Sequence, residues 1–261
     1  MSRRPRKWGK CGFFPYLFDE TPKMRGLFWL IAAVLTVGAA QNVLAQGDAP
    51  AAKKKQLYWI FLTTGKSAAG VTLEELRAKQ KAHIDHFNRL AKENVLFAAG
   101  PMADPTKVKR GIVLLEAESP DQFPTLFEPD PYVKEGFMKL DANAIVKMVG
   151  KTVVDAESEE LEELRIAIWD RTESEKELAP AEKAELLEAH EAYWTKQRTD
   201  KKIALRCRFA DDAPHFGIVI FPKSDDAEIK KLLDADPLVA KGRIQYALMP
   251  QYLMKGAVSV E

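Results

Sequence analysis

At 261 residues the chain exceeds one small domain, and its 39 basic and 38 acidic side chains leave it close to neutral. That balance provides none of the basic surplus by which nucleic acid or an anionic membrane surface is bound. Two cysteines are too few for a disulfide scaffold.

Arg3, Arg4, Arg6, Lys7 and Lys10 precede a second methionine, Met24, and Arg25 then introduces the uncharged run from Gly26 to Ala45. Within it Leu27 to Leu35 continues through Val37 and Ala40 to Val43-Leu44-Ala45, an apolar block ending in small residues, as a secretory signal does. The expectation is a basic leader plus signal peptide over residues 1–45, with export to a periplasmic or extracellular space. The alternative is an anchor of residues 26–45 retained in the membrane. Residues 1–23 are a long basic leader unless Met24 is the true start. Cleavage after Ala45 removes 7 basic and 2 acidic side chains, leaving 32 against 36, and takes Cys11 away so that Cys207 has no intrachain partner.

Residues 46–55 mix Ala, Pro and Lys without periodicity and read as a tether. Leu57 to Leu62 is an apolar, aromatic-rich strand. Thr72 and Glu75 have capping-box spacing, and Leu73, Leu76, His83, Phe87 and Leu90 then share one helical stripe. Val95 to Ala98 is a strand entering a turn at Gly100-Pro101. Gly111 to Leu115 is the next strand, Ser119-Pro120 opens a helix, Asp130-Pro131 opens a short helical turn, and Ala142 to Val149 closes the unit as βαββαβ. The acidic stretch 151–161 reads as a solvated linker. Leu164 to Trp169, the helix Glu182 to Gln197, Ile203 to Cys207, Phe216 to Phe221, Ala227 to Leu233 and Gln245 to Leu253 repeat the order over 162–256.

The two units, 56–150 and 162–256, share a motif. Gly111-Ile112-Val113-Leu114 is followed by Asp130-Pro131, Val133 and Gly136, and Gly217-Ile218-Val219-Ile220 by Asp236-Pro237, Val239 and Gly242, all displaced by 106. His83 lies 28 residues before Gly111 and His190 lies 27 before Gly217. The expected fold class is α+β, with two ferredoxin-like units whose bare sheet faces pack together as an intramolecular α+β barrel pseudo-dimer. A monomer suffices, because the linker removes the entropy cost of association.

A histidine on an apolar helical stripe is ordinarily a core residue, and Asp-Pro is ordinarily a helix cap. The functional reading joins them: a carboxylate beside a partly buried imidazole fixes its tautomer and stabilises its imidazolium form, as a general base near neutral pH requires. The candidate catalytic residues are therefore His83, Asp130, His190 and Asp236. No cofactor and no metal are expected. His83 and His86 lack further ligands, and the residue equivalent to His86 is Tyr193. Cys207 reads as an apolar filler, and Lys107, Lys109 and Arg110 as a solvated hairpin edge. No phosphate-binding loop or serine nucleophile motif is present.

A helix with one His, Ala98-Ala99-Gly100-Pro101, Gly111-Ile112-Val113-Leu114 and then Asp130-Pro131-Tyr132-Val133 with Gly136 resemble the YCII-related domain, over about residues 56 to 150 and, in diverged form, 162 to 256. The resemblance implies the ferredoxin-like dimeric α+β barrel and a His and an Asp at the active site, and one relative removes halide from a chlorinated hydroquinone. Cys207-Arg208 replaces Gly100-Pro101 in the second copy, which makes that site the doubtful one. The resulting expectation is a protein that acts on a small organic molecule by His-Asp elimination, isomerisation or hydrolysis. The alternative is a small-ligand-binding or structural domain in which the pairs are packing elements.

Overall fold

The computed structural model describes residues 55–153 and 160–259. The leader, its cleavage point, the alternative anchor at 26–45 and the centre of the acidic linker lie outside the described residues. Among the described residues no helix is long and apolar enough to cross a membrane.

Strand β1 (Gln56–Thr64) is apolar on both faces because each face meets a different layer. Trp59 and Phe61 enter one core, while Tyr58, Ile60 and Leu62 enter another. β3 (Lys109–Ala117) divides in the same way, with Ile112 and Leu114 on one side and Val113 and Leu115 on the other. In the second repeat β5 (Leu161–Arg171) and β7 (Gly217–Phe221) send Ile166, Ile168, Ile218 and Ile220 to the first core and Ala167, Trp169, Val219 and Phe221 to a third.

Helix α1 (Leu73–Lys92) starts from the expected capping box: Thr72 Oγ1 accepts from Glu75 N at 3.2 Å and Glu75 Oε2 accepts from Thr72 N at 2.8 Å. Leu73 is a departure from the expected stripe, being 64% exposed, so the first turn is held by its cap rather than by packing. The helix expected after Ser119 is also shorter than its opening suggested. Pro120–Gln122 form one 3-10 turn and α2 (Phe123–Leu126) one α turn. Pro124 has no N–H to give the Pro120 carbonyl, so an α-helix cannot run through both prolines.

β2 (Leu96–Pro101), α3 (Pro131–Lys134) and β4 (Met138–Val149) complete the first repeat. The second comprises β5, a short α4 (Glu173–Lys176) that the sequence pattern did not indicate, α5 (Pro180–Thr199), β6 (Leu205–Phe209), β7, α6 (Asp226–Asp234), α7 (Pro237–Ala240) and β8 (Ile244–Met254). Gly136 and Gly242 end α3 and α7 with φ of 79° and 64°, the left-handed conformation that a residue with a Cβ adopts at a cost.

The strands form one antiparallel sheet in the order β2-β3-β1-β4-β6-β7-β5-β8. The sheets of the two repeats close into the expected barrel, and they do so through a shared ladder, with β4 paired to β6 through Ile145 opposite Phe209 and Met148 opposite Cys207. The ring closes at the other side, where Met102 bridges Gln251 and Ala103 N donates to the Pro250 carbonyl at 3.0 Å. Gln251 Nε2 also donates to the Gly100 and Pro101 carbonyls at 3.3 and 3.1 Å. Gly100-Pro101 is thus the end of a strand in this seam and not a turn at a pocket. A Cβ on Gly100 would stand 1.9 Å from the Tyr252 carbonyl oxygen, so only glycine fits there. Cys207 occupies the corresponding place in the open ladder with β4, where that restriction does not apply.

Candidate functional site

Pairing across the strands aligns the repeats. Gly100 faces Ile112 and Ala99 faces Val113, while Cys207 faces Ile218 and Arg206 faces Val219. Arg206 in the second repeat therefore stands where Ala99 stands in the first.

In the first repeat α1 carries His83 toward the N-terminus of α3, and Nδ1 donates to Asp130 Oδ2 at 2.7 Å. The other carboxylate oxygen, Oδ1, accepts from Tyr132 N at 2.9 Å. Asp130 is consequently both a helix cap and an imidazole partner, each oxygen serving one role. With the proton on Nδ1, the neutral ring presents its lone pair at Nε2, which has no hydrogen-bond partner among the described residues. Phe87 and Tyr132 pack on the ring at 4.3 and 5.4 Å between centroids, and the His83 side chain keeps 12% of its surface exposed above a fully buried carboxylate.

The second repeat brings its pair together equally well and then closes it. His190 Nδ1 donates to Asp236 at 2.9 and 2.8 Å, and both side chains are fully buried. Asp236 also accepts from Trp194 Nε1 and Leu238 N, at 2.8 and 2.9 Å. Trp169 and Phe216 cover the imidazole with edge contacts. Arg206 Nη1 meets Nε2 at 3.2 Å, so that nitrogen is already occupied. The guanidinium is held by Glu191, which also takes Lys147 Nζ at 2.6 Å. Burial opposes ionisation of Glu191, but Arg206 and Lys147 outweigh it and hold the carboxyl down at about 2. The neighbouring cavity lined by Leu187, Phe216 and Leu238 holds only about 50 Å³, against several hundred for an ordinary ligand pocket. The second copy is thus sealed by Arg206, one residue before the Cys207-Arg208 pair that the sequence singled out.

Elsewhere, His86 packs on Phe127 and meets Arg89 at 3.2 Å, and burial lowers its pKa. Among the described residues no cluster of three or more His, Cys, Asp or Glu could hold a metal. Burial pushes the Cys207 thiol far above its ordinary range, which removes it as a nucleophile. Lys109, expected at a solvated edge, lies over the Phe61 ring at 5.2 Å.

Sequence reasoning missed a further histidine entirely. His215, on the loop before β7, is clamped between Asp170 at Nδ1 and Asp141 at Nε2, the latter at 2.9 Å, and its backbone N donates to the buried Asn143 Oδ1 at 3.2 Å. Asp141 and Asn143 belong to the first repeat, and Asp170 and His215 to the second. With both ring nitrogens engaged this histidine ties the repeats together and offers no lone pair.

The four histidines should therefore differ in reactivity. Diethyl pyrocarbonate, which acylates an accessible imidazole lone pair, is expected to modify His83 first and to leave His190 and His215 untouched while the protein stays folded. Peptide mass spectrometry reads the order, and modification of His190 as fast as His83 would contradict the sealed site.

Fold and site together define a two-repeat α+β barrel with one open and one closed His-Asp pair. Residues 57–142, within the first repeat, match the family model of the YCII-related domain. No curated protein matches the chain. Among solved structures the chain is similar to a chlorite dismutase mutant from Candidatus Nitrospira defluvii, at 10% identity and a TM-score of 0.49 over 77% of this chain and 92% of that one. It is also similar to a heme-binding protein from Thermus thermophilus, at 14% identity and a TM-score of 0.49 over 78% and 94%.

Proposed function

We propose that the first repeat performs acid-base chemistry on a small organic molecule, with His83 as the base and Asp130 as its positioning residue, and that the second repeat is structural. The observation that carries this reading is the unpartnered Nε2 of a ring whose Nδ1 is fixed by a buried carboxylate. Such a ring takes a proton at Nε2 while Asp130 stabilises the resulting charge, the step shared by eliminations, isomerisations and hydrolyses. The mildly acidic balance of residues 46–261 and the signal-like run before it support an exported protein whose partner is a small molecule rather than nucleic acid.

A second reading has its own support: His190 and Asp236 are fully buried and Arg206 already occupies Nε2, the surroundings of a packing element, so a first repeat that binds a ligand without turning it over is the alternative. The test is a screen of small phenolic and lactone compounds for thermal stabilisation, repeated with His83→Gln and His190→Gln. Compounds that stabilise the wild type should lose their effect in His83→Gln with the fold intact, and any that disappear on incubation should survive with that variant. An equal loss from His190→Gln would overturn the assignment to the first repeat. Binding without turnover of any compound would favour the non-catalytic alternative.

A further inference from the structure

The residue that closes the second site describes what the first site lacks. Arg206 has two attachments: an N–H directed at His190 Nε2, and a charge matched by Glu191 with Lys147 behind it. Only the first attachment has a counterpart in the first repeat. Ala99 replaces Arg206 and is partly exposed, whereas Arg206 retains 2% of its side-chain surface. His83 replaces His190, and in the next helical position Ile84, 37% exposed, replaces Glu191.

We propose that α1 and β2 bound an open ligand cleft, floored by Ala99 and edged by Ile84, which takes a neutral hydrogen-bond donor on an apolar body. The ligand's O–H or N–H is directed at His83 Nε2, at the place that the Arg206 guanidinium fills in the other repeat. This rests on the reading of His83 as a ring with its lone pair at Nε2. A cation is disfavoured, because the carboxylate that holds the guanidinium is replaced by isoleucine and Asp130 is buried behind the imidazole. The charges near this end of α1 are also positive or already matched: Lys79 pairs with Glu135, and Lys66 lies over the Phe137 ring at 4.5 Å. The Tyr132 hydroxyl donates to the Leu76 carbonyl at 3.3 Å, which leaves the apolar ligand body to the Ile84 side.

Three probes on one fluorobenzyl body separate the possibilities by ¹⁹F NMR titration of the whole protein: 4-fluorobenzyl alcohol, its methyl ether and 4-fluorobenzylamine. The alcohol is expected to give a saturable shift, with the ether and the protonated amine at least tenfold weaker. Ala99→Arg should abolish binding by installing the second repeat's plug. Ile84→Glu, a surface change that spares the fold, should reverse the preference in favour of the amine by at least tenfold. Equal binding of alcohol and ether would overturn the donor class. Binding that survives Ala99→Arg in a folded protein, or no saturable binding of any probe, would overturn the cleft. These outcomes are separable from the acid-base reading: alcohol binding at the cleft with no compound turned over through His83 sinks that reading and leaves the cleft, and the converse result sinks the cleft alone.

Discussion

Asp236→Ala is expected to destabilise the protein by roughly 3–5 kcal/mol, the cost of removing one member of a buried, hydrogen-bonded pair. The carboxylate accepts from His190, Trp194 Nε1 and Leu238 N, and none of these donors reaches solvent once it is gone, because His190 and Trp194 are fully buried. Asp130→Ala should cost clearly less. Among the described residues its carboxylate serves only His83 and Tyr132 N, Phe87 stands where Trp194 donates in the second repeat, and His83 keeps an edge in water. Asp236→Asn, which preserves the cap to Leu238, should recover part of the loss. Urea unfolding of the three variants checks the order, and a loss from Asp130→Ala equal to that from Asp236→Ala would show that the two sites are equally closed.

His215→Gln is expected to lower stability by about 2 kcal/mol in mild acid, a charge-assisted hydrogen-bond loss, with the difference from wild type vanishing as the pH rises. Burial works against the charge on His215, but hydrogen bonds with Asp141 and Asp170 outweigh it and raise the pKa. A raised folded value means that the stabilisation is complete below the unfolded value, near 6.5, and is lost as pH climbs through the folded one. Asp141 behaves in the opposite sense. Burial favours its neutral form, but His215, with Lys109 and Asn143, holds it below its ordinary value. Its contribution is complete above about 3.9 and fades as acid takes the pH through the lowered value. The gap between wild type and His215→Gln should thus be widest between about pH 5 and 6. A gap that grows with alkali would contradict the clamp. Because Asp141 lies in one repeat and His215 in the other, fluorescence of Trp59 and Trp169 should report loss of the shared interior core and of the second repeat's outer core together.

Much of this arrangement was legible from the residues alone. Leu57 to Leu62 and Phe216 to Phe221 declared themselves as strands because apolar side chains on both faces require a core on each face, and the shared interior with one outer core per repeat provides them. The pairing of His83 with Asp130 and of His190 with Asp236 was legible because the chain states the arrangement twice. Arg206 was not. In Leu205-Arg206-Cys207-Arg208 the alternation of apolar and basic residues reads as an ordinary strand with a wetted face, yet that face is covered by α5. The signal was present in the alignment, as an arginine opposite Ala99, but only the strand register makes it usable. His215 had no such signal: its partners are 45 and 74 residues away, and Lys109 stands at the same place in the first repeat. Gly100-Pro101 was misread because glycine and proline mark turns, and here they mark a close crossing of two strands.

The two halves of this barrel are covalently one molecule, and that has a consequence for how it can change. In an assembly of two identical chains, any side chain laid over one imidazole is laid over its twin, so a guard for one centre would blind both. Fusion lifts that symmetry: Arg206 can lock one chamber into a keystone while Ala99 leaves the other free to be reshaped, one substitution at a time, around whatever enters it.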